Sequence, residues 1–203
     1  MLSAAIPANP HIDKWFSCDD QFDLLYPASM QSLARDHWTP LEVIRKAAAF
    51  LAADKNVKIL DIGSGVGKFC LGAAHFMPHA YYTGIEQRLS LVEYAENTRI
   101  NLDFENIEFI HGNFTQLDFG NYDHFYFFNS FYENFGFTEK IDNNVDHSHK
   151  LYQYYTQHLM KQLELKPVGT RLATFHSLED EIPKDFLTVG SEVDNHLKFW
   201  IKI

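Results

Sequence analysis

The stretch Ile59-Leu60-Asp61-Ile62-Gly63-Ser64-Gly65-Val66-Gly67-Lys68-Phe69 constrains this chain more than any other. An apolar run ends beside an acid, passes into Gly-x-Gly-x-Gly, and continues with helical spacing. Glycines accept positive φ and let a ligand approach the backbone closely. A helix that starts after them presents unpaired N–H groups. Strand, glycine turn and helix in this order form the ligand-holding corner of open α/β sheets. The spacing is not the dinucleotide Gly-x-Gly-x-x-Gly, because Lys68 stands where the third glycine would fall. A tight turn that binds nothing is the plainer alternative.

The remainder of the chain alternates in the same way. Residues 57–62, 81–86, 107–112, 124–129 and 170–176 read as strands, and 66–76, 88–101 and 146–165 as helices. Leu151, Tyr155, Leu159 and Leu163 mark one face of the last helix. An earlier helix should begin at Thr39-Pro40, with Thr as N-cap and Pro in the first turn, because Leu41, Ile44, Ala48 and Leu51 follow at helical spacing. The tail differs. Residues 186–193 and 196–203 are both strand-like, with only Asp194-Asn195 between them, which predicts an antiparallel hairpin. The expected fold class is therefore α/β: a doubly wound, mostly parallel sheet closed by an antiparallel C-terminal hairpin, with helices on both faces. Residues 1–38 lack periodicity but hold Trp15, Phe16, Phe22, Tyr26 and Trp38. They read as an irregular or short-helical cap on a domain of residues 39–203.

Composition narrows the function classes. With 17 Lys and Arg against 27 Asp and Glu, the net charge of −10 disfavours sequence-independent nucleic-acid binding, which needs cations on phosphates. Two cysteines, Cys18 and Cys70, form neither a disulfide framework nor a zinc pattern and suit a reducing compartment. The opening MLSAAIPANP has no basic n-region, and no window reaches the roughly 18 apolar residues of a membrane span. The expectation is a cytoplasmic protein without membrane partners. His147 and His149, with Asp142 and Asp146 nearby, read as a polar loop and helix start capped by Asp146 or Ser148; no metal is expected there.

Glu86 ends the second strand, 19 residues after Gly67. A carboxylate there can accept hydrogen bonds from both hydroxyls of a ribose. On these residues the chain resembles the class I S-adenosylmethionine-dependent methyltransferases over about residues 39–203. LDIGSGVGKF is similar to their first motif, and particularly to the cofactor loop of the non-SET histone lysine methyltransferases. The resemblance implies a seven-stranded sheet with the seventh strand antiparallel, and S-adenosylmethionine as cofactor. It implies a cofactor-binding set of Thr39, Asp61, Gly63, Ser64, Gly65, Gly67, Glu86, Gln87, Asn113, Phe114 and Asn129. Asn113 stands where many members carry an Asp on the adenine amino group, and Phe114 would flank the ring. Asn113 as an ordinary post-strand turn residue is the alternative.

Asn129-Ser130-Phe131-Tyr132 resembles the Asp/Asn-Pro-Pro-Tyr/Phe motif of enzymes that methylate amino or amide nitrogens, with Ser130 and Phe131 in place of the prolines. It implies that Asn129 and Tyr132 are the catalytic residues, one accepting N–H bonds from the target nitrogen and the other stacking on a planar substrate. Trp38-Thr39-Pro40-Leu41-Glu42-Val43 is similar to the Tyr-Thr-Pro-x-x-Val segment of amino-methylating DNA enzymes, but the acidic chain does not imply DNA. The expected activity is methyl transfer to a nitrogen of a small molecule or protein side chain. Residues 1–38, with Tyr26, His37 and Trp38, would close over the substrate. An oxygen acceptor would need a base, for which His37, His147 and His176 are the candidates. The rival readings are a cofactor-binding sensor or scaffold, aminopropyl transfer, and a nicotinamide-dependent oxidoreductase. The glycine spacing and the terminal hairpin disfavour the last.

Overall fold

The computed structural model describes residues 10–128, 148–177 and 181–203. Its centre is one seven-stranded sheet in the order β3-β2-β1-β4-β5-β7-β6. The strands are β1 (Lys58–Ile62), β2 (Tyr81–Glu86), β3 (Ile107–His111), β4 (His124–Phe128), β5 (Arg171–Phe175), β6 (Phe186–Glu192) and β7 (Leu197–Lys202). The first five pair in parallel, and β7 runs antiparallel between β5 and β6. The order turns back at β1, where β2 lies on one side and β4 on the other. That reversal opens the crevice at the carboxyl ends of the strands in which ligands of such sheets sit.

Short helices come first: α1 (Pro10–Asp13), α2 (Asp19–Asp23), α3 (Ala28–Gln31) and α4 (Ala34–His37). The long ones follow: α5 (Leu41–Leu51), α6 (Lys68–Phe76), α7 (Leu89–Asn101) and α8 (His149–Glu164). Alternate side chains of each strand feed two cores. On one face α5, α6 and α7 pack with Ile59, Tyr126, Ala173 and Phe175. On the other, Tyr155, Leu159 and Leu163 of α8 pack with Leu60, Ile62, Phe125, Phe127 and Leu172. The face expected for α8 is thus the buried one, and Ser148 caps it by accepting from the Leu151 N–H at 3.1 Å.

Three boundaries move for physical reasons. The helix expected from residue 66 starts at Lys68, because Gly67 has φ +82°, a left-handed value that a helix cannot include. The helix expected at Thr39-Pro40 starts at Leu41 with Pro40 as its cap residue. Thr39 does not cap it; the carboxylate of Asp19, from α2, accepts from the Leu41 N–H at 2.9 Å. In the tail hairpin, Asp194 and Asn195 turn the chain with φ of +52° and +66°, and the His196 N–H bonds the Val193 carbonyl at 3.0 Å. That is the turn geometry Asp-Asn favours, although each strand ends a residue nearer the sheet than expected. Val193 is left-handed as well, at φ +51°.

The N-terminal residues pack into the first core. Phe16, Phe22, Tyr26 and Trp38 are buried, the Tyr26 hydroxyl donates to the Val66 carbonyl at 2.8 Å, and Phe16 stacks on His75 with centroids 4.2 Å apart. The Lys68 ammonium, 4% exposed, lies 2.7 Å from Asp19 and 3.0 Å from Asp23, over the rings of Phe22 and Trp38. No described helix is long and apolar enough to cross a membrane.

Candidate active site

The carboxyl ends of β1 and β2 and the turn between β1 and α6 build the site. Gly63, Gly65 and Gly67 have φ of +78°, +54° and +82°. At Gly67 a Cβ would stand 2.4 Å from Phe109 and 2.9 Å from Ala95, so the turn is pressed onto β3 and α7 and admits only glycine. At Gly65 a Cβ would meet nothing within 4 Å: this side of the turn faces open space. The turn is tied to β2 by Gly63 and Ser64 N–H bonds to the Ile85 carbonyl, at 2.9 and 3.0 Å. Gly84, inside β2, leaves the room that Ser64 occupies, since a Cβ there would lie 2.7 Å from the Ser64 hydroxyl. That hydroxyl is buried and has no hydrogen-bond partner among the described residues. A buried unpaired hydroxyl costs free energy unless a ligand or water completes it.

Glu86 closes the corner, 6% exposed. Its carboxylate accepts from the Arg88 N–H at 2.9 Å and the Gly65 N–H at 3.2 Å, and the Arg88 guanidinium lies 3.7 Å away. Burial raises the Glu86 pKa above the ordinary glutamate value, and the N–H bonds and the Arg88 charge oppose that rise. Neither Arg88 nor Gly84 stands out in the sequence. Arg88 is legible only as a cation two residues beyond the acid, and Gly84 only as a glycine inside a strand pattern.

Asp61 lies beneath the turn on the α6 side. It is buried, its carboxylate accepts from the Cys70 thiol at 3.7 Å, and burial with a smaller push from Glu86 lifts its pKa to about 8. No described cation pairs with it. Its register partner on β4 is Tyr126, whose hydroxyl lies 3.1 Å from that of Thr39 and whose ring stacks flat on Phe69 at 3.7 Å. Thr39, Asp61, Cys70 and Tyr126 thus form one buried polar group. Tyr126 escaped the sequence reading because its face is set by pairing with β1.

Asn113 and Phe114 follow β3. The Asn113 amide oxygen accepts from the Thr115 N–H and hydroxyl at 3.0 and 2.9 Å, and its NH₂ donates to Gln87 and to the Tyr155 hydroxyl at 3.2 and 2.9 Å. Its capacity is taken up within the chain, as the turn-residue alternative has it. Gln87 is drawn into this network. Phe114 is buried against Phe119, Tyr155 and His158. Asn129 and Tyr132 lie outside the described residues, as do Asp142, Asp146 and His147; Phe128, next to Asn129, ends β4 at the same edge of the sheet. His37 ends α4, and His149 is exposed at the start of α8. A cavity of about 550 Å³, lined among others by Asp118, His124, Lys166 and Thr170, opens at the opposite, amino edge of the strands and shares none of these residues.

Taken together, the open side of Gly65, the unpaired Ser64 hydroxyl, the Glu86 carboxylate and the uncompensated Asp61 carboxyl suit a ligand with sugar hydroxyls and a cationic end. Comparison with known proteins gives the family. A family model described as a methyltransferase domain matches residues 53–186. Among solved structures, an RNA methyltransferase from Salinibacter ruber in complex with S-adenosyl-L-homocysteine is 18% identical, with a TM-score of 0.55 over 81% of this chain and 92% of that one. A precorrin-6y C5,15-methyltransferase from Geobacter metallireducens is 12% identical, with a TM-score of 0.52 over 83% and 90%. The [4+2]-cyclase SpnF is 18% identical, with a TM-score of 0.51 over 66% of this chain; the match spans only 43% of the cyclase. A search among curated proteins finds no match.

Proposed function

The chain belongs to the methyltransferase-domain family, whose cofactor is S-adenosylmethionine, and from that premise we propose that it methylates a nitrogen of a small molecule or a protein side chain. The observation that carries the reading is the corner of Ser64, Gly65 and Glu86: a buried hydroxyl without a partner, an open glycine and a carboxylate at the end of β2. When bound there, the cofactor supplies an activated methyl group on a sulfonium sulfur.

The chain's own residues then bind, orient and exclude water. Glu86 would hold the ribose hydroxyls, while the Gly65 and Arg88 N–H groups favour its charged form and aim it. Asp61, with Thr39 beside it, holds the ammonium of the methionine portion. Gly63 and Gly67 shape the turn. Gln87, Asn113 and Phe114 wall the adenine pocket, with Asn113 acting through the turn that it braces. Asn129 accepts from the target nitrogen and Tyr132 stacks on the substrate. Residues 10–38 close the site on the α5 side. Such positioning lowers a barrier by roughly 7–11 kcal/mol when the reacting atoms are aligned.

Calorimetric titration with S-adenosylmethionine, S-adenosylhomocysteine and NAD tests the reading. We expect micromolar binding of both sulfur compounds and none of NAD. Glu86→Ala should weaken the sulfur compounds about 100-fold or more, because it removes hydrogen bonds to a charged acceptor worth roughly 1.5–3 kcal/mol each. Equal binding by that variant, with an unchanged melting curve, would place the site elsewhere. The structural likeness to a [4+2]-cyclase is a reminder that the fold hosts other chemistry. Binding without methyl transfer to any amine would favour the sensor or scaffold reading.

A further inference from the structure

We infer that Tyr26, from the N-terminal segment, is a positioning residue for the cofactor: its hydroxyl fixes the glycine turn, so that docking of residues 10–38 and cofactor binding reinforce each other. The inference rests on the proposed cofactor site and names what regulates it. The Tyr26 hydroxyl donates to the Val66 carbonyl at 2.8 Å. Val66 stands between Gly65 and Gly67 in the turn. Its carbonyl belongs to the same peptide unit as the Gly67 N–H, which bonds the Ser64 carbonyl at 2.8 Å. That unit is thus held at both ends, once by the turn itself and once by a residue 40 positions away.

The turn has little stiffness of its own. Three of its five residues, 63–67, are glycines with positive φ, and glycine has the widest choice of conformations to give up. Helix α6 does not fix Val66, because the first backbone bond into it runs from the Leu71 N–H to the Gly67 carbonyl, at 3.0 Å, one residue further on. Val66 is 1% exposed, so water is no ready substitute for the Tyr26 hydroxyl on a carbonyl that needs a partner. Just before Val66, the Gly65 N–H aims the Glu86 carboxylate at 3.2 Å. A turn that swings at Val66 loses its hold on the acid proposed to take the ribose.

The segment is built to keep Tyr26 in place. The ring packs against Phe22 and Trp38, with centroids 5.7 and 4.9 Å away, and the Tyr26 carbonyl accepts from the Gln31 amide at 2.8 Å. On the other side of Gly67, the buried Lys68 ammonium reaches Asp19 and Asp23 of the same segment. Residues 10–38 therefore grip the turn on both flanks, at Val66 and at Lys68. Trp38 leads directly into Thr39, whose hydroxyl meets that of Tyr126, the register partner of Asp61. With its hydroxyl taken up by Val66, Tyr26 serves the turn rather than a substrate above it. By linkage the coupling runs both ways: the factor by which the docked segment raises cofactor affinity is the factor by which bound cofactor favours docking.

The test uses the full chain and two variants that each remove one buried tyrosine hydroxyl, Tyr26→Phe and Tyr82→Phe. Tyr82 is the control: its hydroxyl donates to the Met77 carbonyl at 2.9 Å, at the opposite end of α6 from the turn. Both variants should melt at a lower temperature than the parent. Well below those temperatures, only Tyr26→Phe should weaken S-adenosylhomocysteine binding, by about fivefold or more in calorimetry. Bound S-adenosylhomocysteine should slow proteolytic cutting within residues 10–38 by a similar factor in the parent and Tyr82→Phe, and by less in Tyr26→Phe. In ligand-free protein, Tyr26→Phe alone should speed hydrogen exchange at the Gly65 and Gly67 amides about fivefold or more. Equal affinity in the parent and Tyr26→Phe, an equal loss in both variants, or unchanged exchange at the two glycines would overturn the inference. If the parent itself fails to bind S-adenosylhomocysteine, the methyl-transfer reading falls, and the exchange comparison still decides whether Tyr26 sets the turn.

Discussion

Cofactor binding should expel a proton from Asp61. The free site holds this carboxyl in a buried setting with a thiol and a second acid for company, and its pKa stands at about 8. At pH 7 it is then only about one-tenth ionised. A ligand that brings an ammonium against it favours the charged form and pulls the pKa down. If the bound value falls to about 5, binding at pH 7 releases about 0.9 proton, and affinity rises about eightfold between pH 6 and 7. The rise then flattens towards pH 8, where the ligand's own α-amino group begins to lose its charge. Calorimetry at pH 7 in phosphate and in Tris, buffers of different ionisation heat, counts the protons directly. Asp61→Asn should bind more weakly, release almost none, and show a nearly flat profile from pH 6 to 7. A parent that releases no proton, or an asparagine variant that releases as many, would refute the assignment of Asp61 to the ammonium.

The same carboxyl predicts how the ligand-free protein responds to pH. Its folded pKa lies above the unfolded value of 3.8, so the folded state binds the extra proton between about 4 and 8 and loses stability as pH rises through that window. Denaturant melts at pH 5.5 and 8 should show Asp61→Asn losing less stability than the parent over that interval. Gly67→Ala puts a Cβ at 2.4 Å from Phe109 in a left-handed position and should cost about 3 kcal/mol, read as a melting temperature lower by about 6–12 °C. Lys68→Met leaves Asp19 and Asp23 without their shared cation. It should cost about 2 kcal/mol and speed proteolytic cutting within residues 10–38; an unchanged cutting rate would show that the ammonium does not hold this segment.

The parts legible in the sequence were those that obey a local period. Five strands, three crossover helices and the Asp194-Asn195 turn each announce themselves within a window of ten residues or so, because the parallel strands are apolar runs and the turn residues tolerate left-handed backbone. Glu86 was legible because its distance from the glycine turn is a chain distance. What escaped depends on pairing or on long reach. That Tyr126 meets Thr39 follows from the register of β4 on β1, which no window contains. That Gly84 makes room for Ser64 follows from β2 lying beside the turn. The cap of α5 was read as Thr39 because that residue is adjacent, whereas Asp19 supplies it from 22 residues away. Asn113 had two readings of equal locality, and only its four hydrogen bonds, to Gln87, Thr115 and Tyr155, show that its amide is engaged within the chain.

The attachment of the N-terminal segment has a consequence for biosynthesis. Residues 10–38 are made before the rest of this domain, yet almost everything they hold is made later: Val66 for Tyr26, Lys68 for Asp19 and Asp23, and Phe104 for Phe16, whose ring lies 6.1 Å away. About 66 residues separate Trp38 from Phe104, which at ~5–20 residues per second is an interval of roughly 3–13 seconds. Throughout it Trp15, Phe16, Phe22, Tyr26 and Trp38 have no core to enter, and they present a sticky, aromatic stretch to whatever is nearby. A nascent chain of this domain therefore offers chaperones an aromatic binding site in residues 10–38, one that is buried as the later strands that share its core, with Tyr126, Ala173 and Phe175, are made.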